Sequence, residues 1–167
     1  MKMTMRAWVV PVLAVAALCW GSTLVAQDKE AAKAALGARV SLARGLAASA
    51  SQGRAISAKF EMDEGKLQLS VYTMKGGKFF EVSVDPNSGR IVKTEPIGEG
   101  EDYTAAQSQS AAIAKAKVSL RAAVATALRG NAGFRAVSVT PSLKDGRPVA
   151  EVALAKGKDV KTVSVPL

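Results

Sequence analysis

Between residues 54 and 93 apolar and polar positions alternate with a period of two, interrupted by three short polar stretches. Ile56, Ala58, Phe60 and Met62 alternate with Ser57, Lys59 and Glu61, the pattern of a strand with one wet face. Asp63-Glu64-Gly65-Lys66 follows as a turn, with glycine where φ turns positive. Leu67, Leu69 and Val71 then alternate with Gln68, Ser70 and Tyr72. After the turn Lys75-Gly76-Gly77-Lys78, Phe80, Val82 and Val84 oppose Phe79, Glu81 and Ser83. Asp85-Pro86-Asn87-Ser88-Gly89-Arg90 is a strong turn, and Ile91-Val92-Lys93 is a candidate short fourth strand. Ahead of this meander the pattern is helical. Leu42, Ala43 and Leu46 form a narrow stripe after Ser41, whose hydroxyl is placed to cap the first turn, and Gly53 lies just past the end.

A second stretch has the same layout. Ser119 is placed to cap a helix carrying Leu120, Val124, Ala127 and Leu128 on one side, with Arg121 and Arg129 off it and Gly130 or Gly133 beyond its end. Strands are expected at Phe134–Val139, Pro148–Leu154 and Val160–Val165, with turns at Lys144-Asp145-Gly146-Arg147 and Lys156-Gly157-Lys158. Val40-Ser41-Leu42 matches Val118-Ser119-Leu120 at a shift of 78 positions. Glu64-Gly65-Lys66 matches Asp145-Gly146-Arg147, and Val82-Ser83-Val84 matches Val163-Ser164-Val165, both at 81. Matches in one order at nearly one spacing imply two units of one design.

The expected fold class is therefore α+β, with tandem units that each pack one helix on a 3-4-stranded antiparallel sheet. The first unit spans residues 27–95 and the second 104–167. The flexible, acidic stretch 96–103 is the expected linker. Lys29–Leu36 and Ala111–Lys117 are Ala/Lys-rich and are expected as short leading helices. Nothing after Leu167 corresponds to the stretch Asp85–Lys93, so the last strand, with Val160, Val163 and Val165, is expected either as an exposed edge or as covered by the first unit. Units of about 60 residues have marginal cores, which makes packing of one unit on the other, or a homodimer, the expected source of further stability.

Residues 1–26 read differently. Lys2 and Arg6 precede an uncharged stretch from Ala7 to Leu18, and Leu24-Val25-Ala26 leads into the charged run Gln27-Asp28-Lys29-Glu30. This is the layout of a secretory signal cut near Ala26. An uncleaved anchor is the alternative, since spanning takes about 20 apolar residues, and Pro11, Gly21, Ser22 and Thr23 weaken it. Leu18 directly before Cys19 fits poorly with lipoprotein processing. With the cut near Ala26 no cysteine remains, and disulfides and thiol chemistry go with it. The expected location is periplasmic or secreted.

With the signal removed, 21 basic and 14 acidic side chains remain, a net +7 over residues 27–167. The basic residues are scattered, and the expected consequence is a weak attraction to anionic surfaces rather than nucleic-acid binding. The chain contains no histidine, which removes the commonest general base at neutral pH and the commonest metal ligand. Ser-His-Asp and Cys-His arrangements are excluded with it. Asp85 with Asn87 and Ser88 falls short of the six to eight oxygens Ca²⁺ takes and reads as a turn capping its own backbone. No catalytic residue, cofactor or metal site is expected. Two surfaces are binding candidates. One is Tyr72 and Phe79 beside Lys59, Lys75 and Lys78, unless that sheet face is itself covered. The other is the edge strand with Val160, Val163 and Val165, where a peptide can add as a further strand.

The stretch Ser41-Leu42-Ala43-Arg44-Gly45-Leu46-Ala47, the break at Gly53, Ala55-Ile56-Ser57-Ala58-Lys59-Phe60-Glu61, the Gly65-Lys66 turn, Val71-Tyr72 and Phe80-Glu81-Val82-Ser83-Val84-Asp85-Pro86-Asn87-Ser88-Gly89-Arg90-Ile91-Val92 together resemble a PepSY domain. The closing valine-aspartate, glycine turn and short strand are the most specific part. Ser119 to Val165 resembles the same domain more weakly, with Pro166 where Asp85 sits. The resemblance implies an exported, non-catalytic binding or regulatory module that restrains or binds an envelope protease or peptide. The alternative is a structural component of the cell envelope that acts through oligomerisation.

Overall fold

A computed structural model of the chain describes residues 29–167. The expected signal segment and Cys19 lie outside the described residues. Residues 29–35 are helical (α1). They are followed by α2 (Leu42–Ala48), a 3-10 turn (Ser49–Gln52), and the strands β1 (Arg54–Asp63), β2 (Lys66–Lys75), β3 (Lys78–Val84) and β4 (Ile91–Ile97). Helices α3 (Gly100–Lys115) and α4 (Leu120–Arg129) come next, then β5 (Arg135–Lys144), β6 (Arg147–Lys156) and β7 (Asp159–Pro166). Both cap serines perform as their chemistry dictates. Ser41 Oγ accepts from the Arg44 amide, and Ser119 Oγ from the Ala122 amide, each at 3.2 Å.

The strands do not form two separate sheets. They make one antiparallel sheet in the order β4-β3-β2-β1-β5-β6-β7, and this overturns the expectation of tandem helix-on-sheet units. The join is made by β1 and β5, with Ala58 opposite Val139 and Lys59 opposite Ser138. A register shift lies between Ala55 and Ser57 on β1 against β2, and another between Ala136 and Ser138 on β5 against β6. Bulges of this kind bend and twist a strand, and these two bracket the join and keep it short. Alternation along a strand sets which side chains face inward but leaves open what pairs with its free edge, so the periodicity of β1 and β5 did not disclose the join.

One sheet face, the inner one, carries the core. Leu69, Val71, Val82, Val84, Val139, Val152 and Leu154 are buried there. They are roofed by Leu42 and Leu46 of α2 and by Leu120, Ala123, Val124 and Ala127 of α4. Helix α2 comes so close to β2 that a Cβ on Gly45 would collide with the Leu69 side chain.

The opposite, outer face is crossed by α3. Gln109 accepts from Ser57 Oγ at 2.7 Å, Ser110 Oγ donates to Met74 Sδ at 3.1 Å, and the Tyr103 and Phe79 rings meet in a T-shaped contact with their centres 5.6 Å apart. The expected linker 96–103 is taken up by the end of β4, by Gly98 and Glu99, and by the first turn of α3, and the helix expected at Ala111–Lys117 starts eleven residues earlier, at Gly100. Apolar periodicity is weak in this helix because Ala106, Ala112 and Ile113 are its buried positions and Ser, Gln and Ala separate them. The signal that marks it is electrostatic: Glu101 and Asp102 stand in the first turn and Lys115 in the last, each opposing the charge of its helix end.

Candidate functional site

Helix α3 decides what becomes of the first candidate surface. Tyr72 and Phe79 are both buried, at 9% and 8% exposure, and α3 is what covers them. Lys75 and Lys78 flank the β2–β3 turn in solvent, and Lys75 Nζ donates to the carbonyl of Ser51 at 3.3 Å. The aromatic pair and the turn lysines therefore do not form one open patch.

Beyond the start of α3 the outer face is polar and opens into a cleft of about 440 Å³. Lys59 is paired with Glu61 at 2.6 Å and lies 5.6 Å from the centre of the Tyr72 ring. Burial pulls the Lys59 ammonium down, yet its hydrogen bond to Glu61, with further help from Tyr72, holds it above the ordinary lysine range. Burial also lifts the Tyr72 phenol; Lys59 opposes this, and Glu61, Glu81 and Asp102 add to it. Glu81 accepts from Ser70 Oγ at 2.8 Å and from Gln68 Nε2 at 3.2 Å. Burial nevertheless pushes its carboxyl up, against the Ser70 hydrogen bond. Ser70 itself is fully buried, whereas Glu81 is half-buried and lines the cleft. The second cation of the cleft, Lys93, is paired with Glu95 at 2.8 Å. Among the described residues no group of three or more His, Cys, Asp or Glu side chains is placed to hold a metal ion. Asp85 accepts from the amides of Asn87 and Ser88 at 3.0 and 2.6 Å. The Ser88 amide contributes most to holding its carboxyl below the usual range.

The second candidate surface lies at the other end of the sheet. Val160, Val163 and Val165 sit on β7, which ends the strand order. Its register against β6 runs without a shift from Val149 opposite Pro166 to Lys156 opposite Asp159. The amide of Leu167 donates to the carbonyl of Pro148 at 3.0 Å, which fixes the parity of the ladder. Hydrogen-bonded and non-hydrogen-bonded pairs alternate in an antiparallel ladder, so Val165, Val163, Lys161 and Asp159 exchange their rungs with β6. The backbone groups of Val160, Thr162 and Ser164 point away from the sheet. Val163 and Val165 face inward, where α4 touches β7, whereas Val160 is 49% exposed. The opposite edge, β4, is protected in the usual ways, by Pro96 and by the charged pair Lys93 and Glu95. From Val160 to Ser164 β7 carries neither proline nor bulge.

Charge is distributed unevenly between the two ends. Residues 104–167 hold ten basic and three acidic side chains. Near β7, Lys161 Nζ lies 4.2 Å from the centre of the Phe134 ring and Lys156 Nζ 5.7 Å from it.

No family model matches the chain, and no curated protein matches it. Among solved structures it is similar to a protein of Clostridium difficile 630 that carries the provisional name lipoprotein, at 12% identity and a TM-score of 0.41, over 67% of this chain and 74% of that one. A score this low carries no statement about fold or function.

Proposed function

We propose that the chain is a non-catalytic binding module that accepts an extended segment of a partner protein along β7. The observation that carries this reading is the run Val160, Thr162 and Ser164. Their backbone donors and acceptors face outward from a regular strand, with no strand beyond it among the described residues. An added strand gains main-chain hydrogen bonds there, and alternate side chains supply selection. The PepSY resemblance of residues 41–92 and the signal-like start of the sequence support an exported module whose partner is an envelope protease or one of its peptides.

The test is a titration of a fluorescent, capped ten-residue peptide alternating threonine and valine around a central glutamate. Saturable binding to the protein, lost in a folded Thr162→Pro variant, is the expected result. Binding that Thr162→Pro leaves unchanged, or no saturable binding, overturns the proposal.

A further inference from the structure

The charges around β7 describe the segment it takes. Lys161 stands on the inner-face row of β7, opposite Leu154. Its backbone rungs go to β6, so an antiparallel strand added outside β7 meets Lys161 in a non-hydrogen-bonded pair, the kind in which facing side chains approach most closely. The Lys161 ammonium is held over the Phe134 ring, and Lys156 shares the same ring. The ring's negative face attracts each cation but neutralises neither, and neither lysine belongs to an ion pair among the described residues. Gly133, with φ +80°, leaves the space along which Lys156 runs; a Cβ there would stand 3.0 Å from Lys156 Nζ. Two like charges on one ring, in the half of the chain that carries nearly all the net positive charge, form a site that gains most from one added anion.

We infer that the β7 edge selects an extended peptide that places a carboxylate side chain opposite Lys161, with Phe134 and Lys156 positioning that lysine. This rests on the reading of β7 as a docking edge and adds the chemistry of its partner. The surrounding field attracts an acidic segment before contact, antiparallel pairing holds it along the edge, and the Lys161 row sets where the acid must fall.

The experiment compares the same ten-residue peptide with a central glutamate, glutamine or lysine. It uses the wild-type protein, Lys161→Gln, Lys156→Gln and Thr162→Pro, at about 0.05 and 0.5 M salt. The glutamate peptide is expected to bind about tenfold tighter than the glutamine peptide at low salt, and the lysine peptide weakest of the three. Lys161→Gln is expected to abolish the difference between glutamate and glutamine without abolishing binding. If glutamate and glutamine peptides bind alike, and both are lost in Thr162→Pro, the selection is overturned while the docking edge stands. If no peptide binds, the docking edge itself fails. Self-association of the protein that Thr162→Pro abolishes, without peptide binding, assigns the edge to a second copy and overturns both. So does lysine-dependent binding to phosphatidylglycerol vesicles in place of the peptide.

Discussion

The guanidinium of Arg135 donates to the carbonyl of Val40 across 2.6 Å, joining residues 95 positions apart. Arg135 opens β5, and Val40 lies just ahead of the α2 cap. The other half of the chain has a counterpart: Arg54, which opens β1, donates at 3.0 Å to the carbonyl of Ile113, in the last turn of α3. Each half thus reaches across the short β1–β5 join to backbone that precedes the other half's core helix, the residue before the α2 cap in one case and the end of α3 in the other. Arg135→Gln removes a charged donor from a carbonyl it serves and is expected to cost roughly 1–2 kcal/mol, read as a fall of several degrees in Tm. An unchanged Tm would mean that the join needs no such contact.

The closeness of α2 to the sheet depends on Gly45. Gly45→Ala gains about 1 kcal/mol of helix propensity but sets a Cβ against fully buried Leu69, and overpacking costs roughly 1–3 kcal/mol. The net effect expected is a loss of about 1 kcal/mol. Combining Gly45→Ala with Leu69→Val is expected to cost less than the sum of the two single changes. Denaturant unfolding of the four proteins measures it, and strict additivity would deny the contact.

Glu81 makes stability depend on pH in a direction that can be stated in advance. Its carboxyl titrates above the ordinary value of 4.5, so the folded state favours the proton. The stabilisation is fully present below 4.5 and is lost as pH rises through the raised value. Glu81→Gln keeps an oxygen to accept from Ser70 and Gln68 and cannot ionise. Its Tm is expected to match that of the unaltered protein near pH 4 and to exceed it near pH 7. A gap that does not change with pH would contradict this.

Ladder parity predicts opposite outcomes for two neighbouring prolines on β7. Val163 gives its amide to β6 and packs inward, so Val163→Pro is expected to destabilise by roughly 2–3 kcal/mol. Thr162 points its amide outward, and Thr162→Pro at an edge position is expected to cost less than about 1 kcal/mol. Thermal unfolding of the two variants checks the order.

Local chemistry made much of the secondary structure readable. Ser41 and Ser119 announced their helices because a hydroxyl at that point has a defined acceptor role, and glycine at 65 and 146 marked turns that require positive φ, observed at +76° and +73°. What stayed hidden was what the elements pack against. Whether the Tyr72 and Phe79 face is open or covered stayed undecided in the sequence, because nothing in their own strands names the helix above them. Helix α3 was hidden in turn by its small, polar residues, which pack through Ala106 and Ala112 rather than through a broad apolar stripe. The pattern puts Val160, Val163 and Val165 on the last strand but leaves open whether that strand is an exposed edge or is covered; β7 ends the strand order. Which of their backbone groups face outward became legible only through the Leu167–Pro148 hydrogen bond.

Amide hydrogen exchange along β7, measured with and without the glutamate peptide, tests docking at this edge most directly. Without peptide, Val160, Thr162 and Ser164 should exchange fast and Lys161, Val163 and Val165 slowly. With peptide, the first three should become protected while the others change little. Protection that appears elsewhere, or that does not alternate along the strand, would contradict the account.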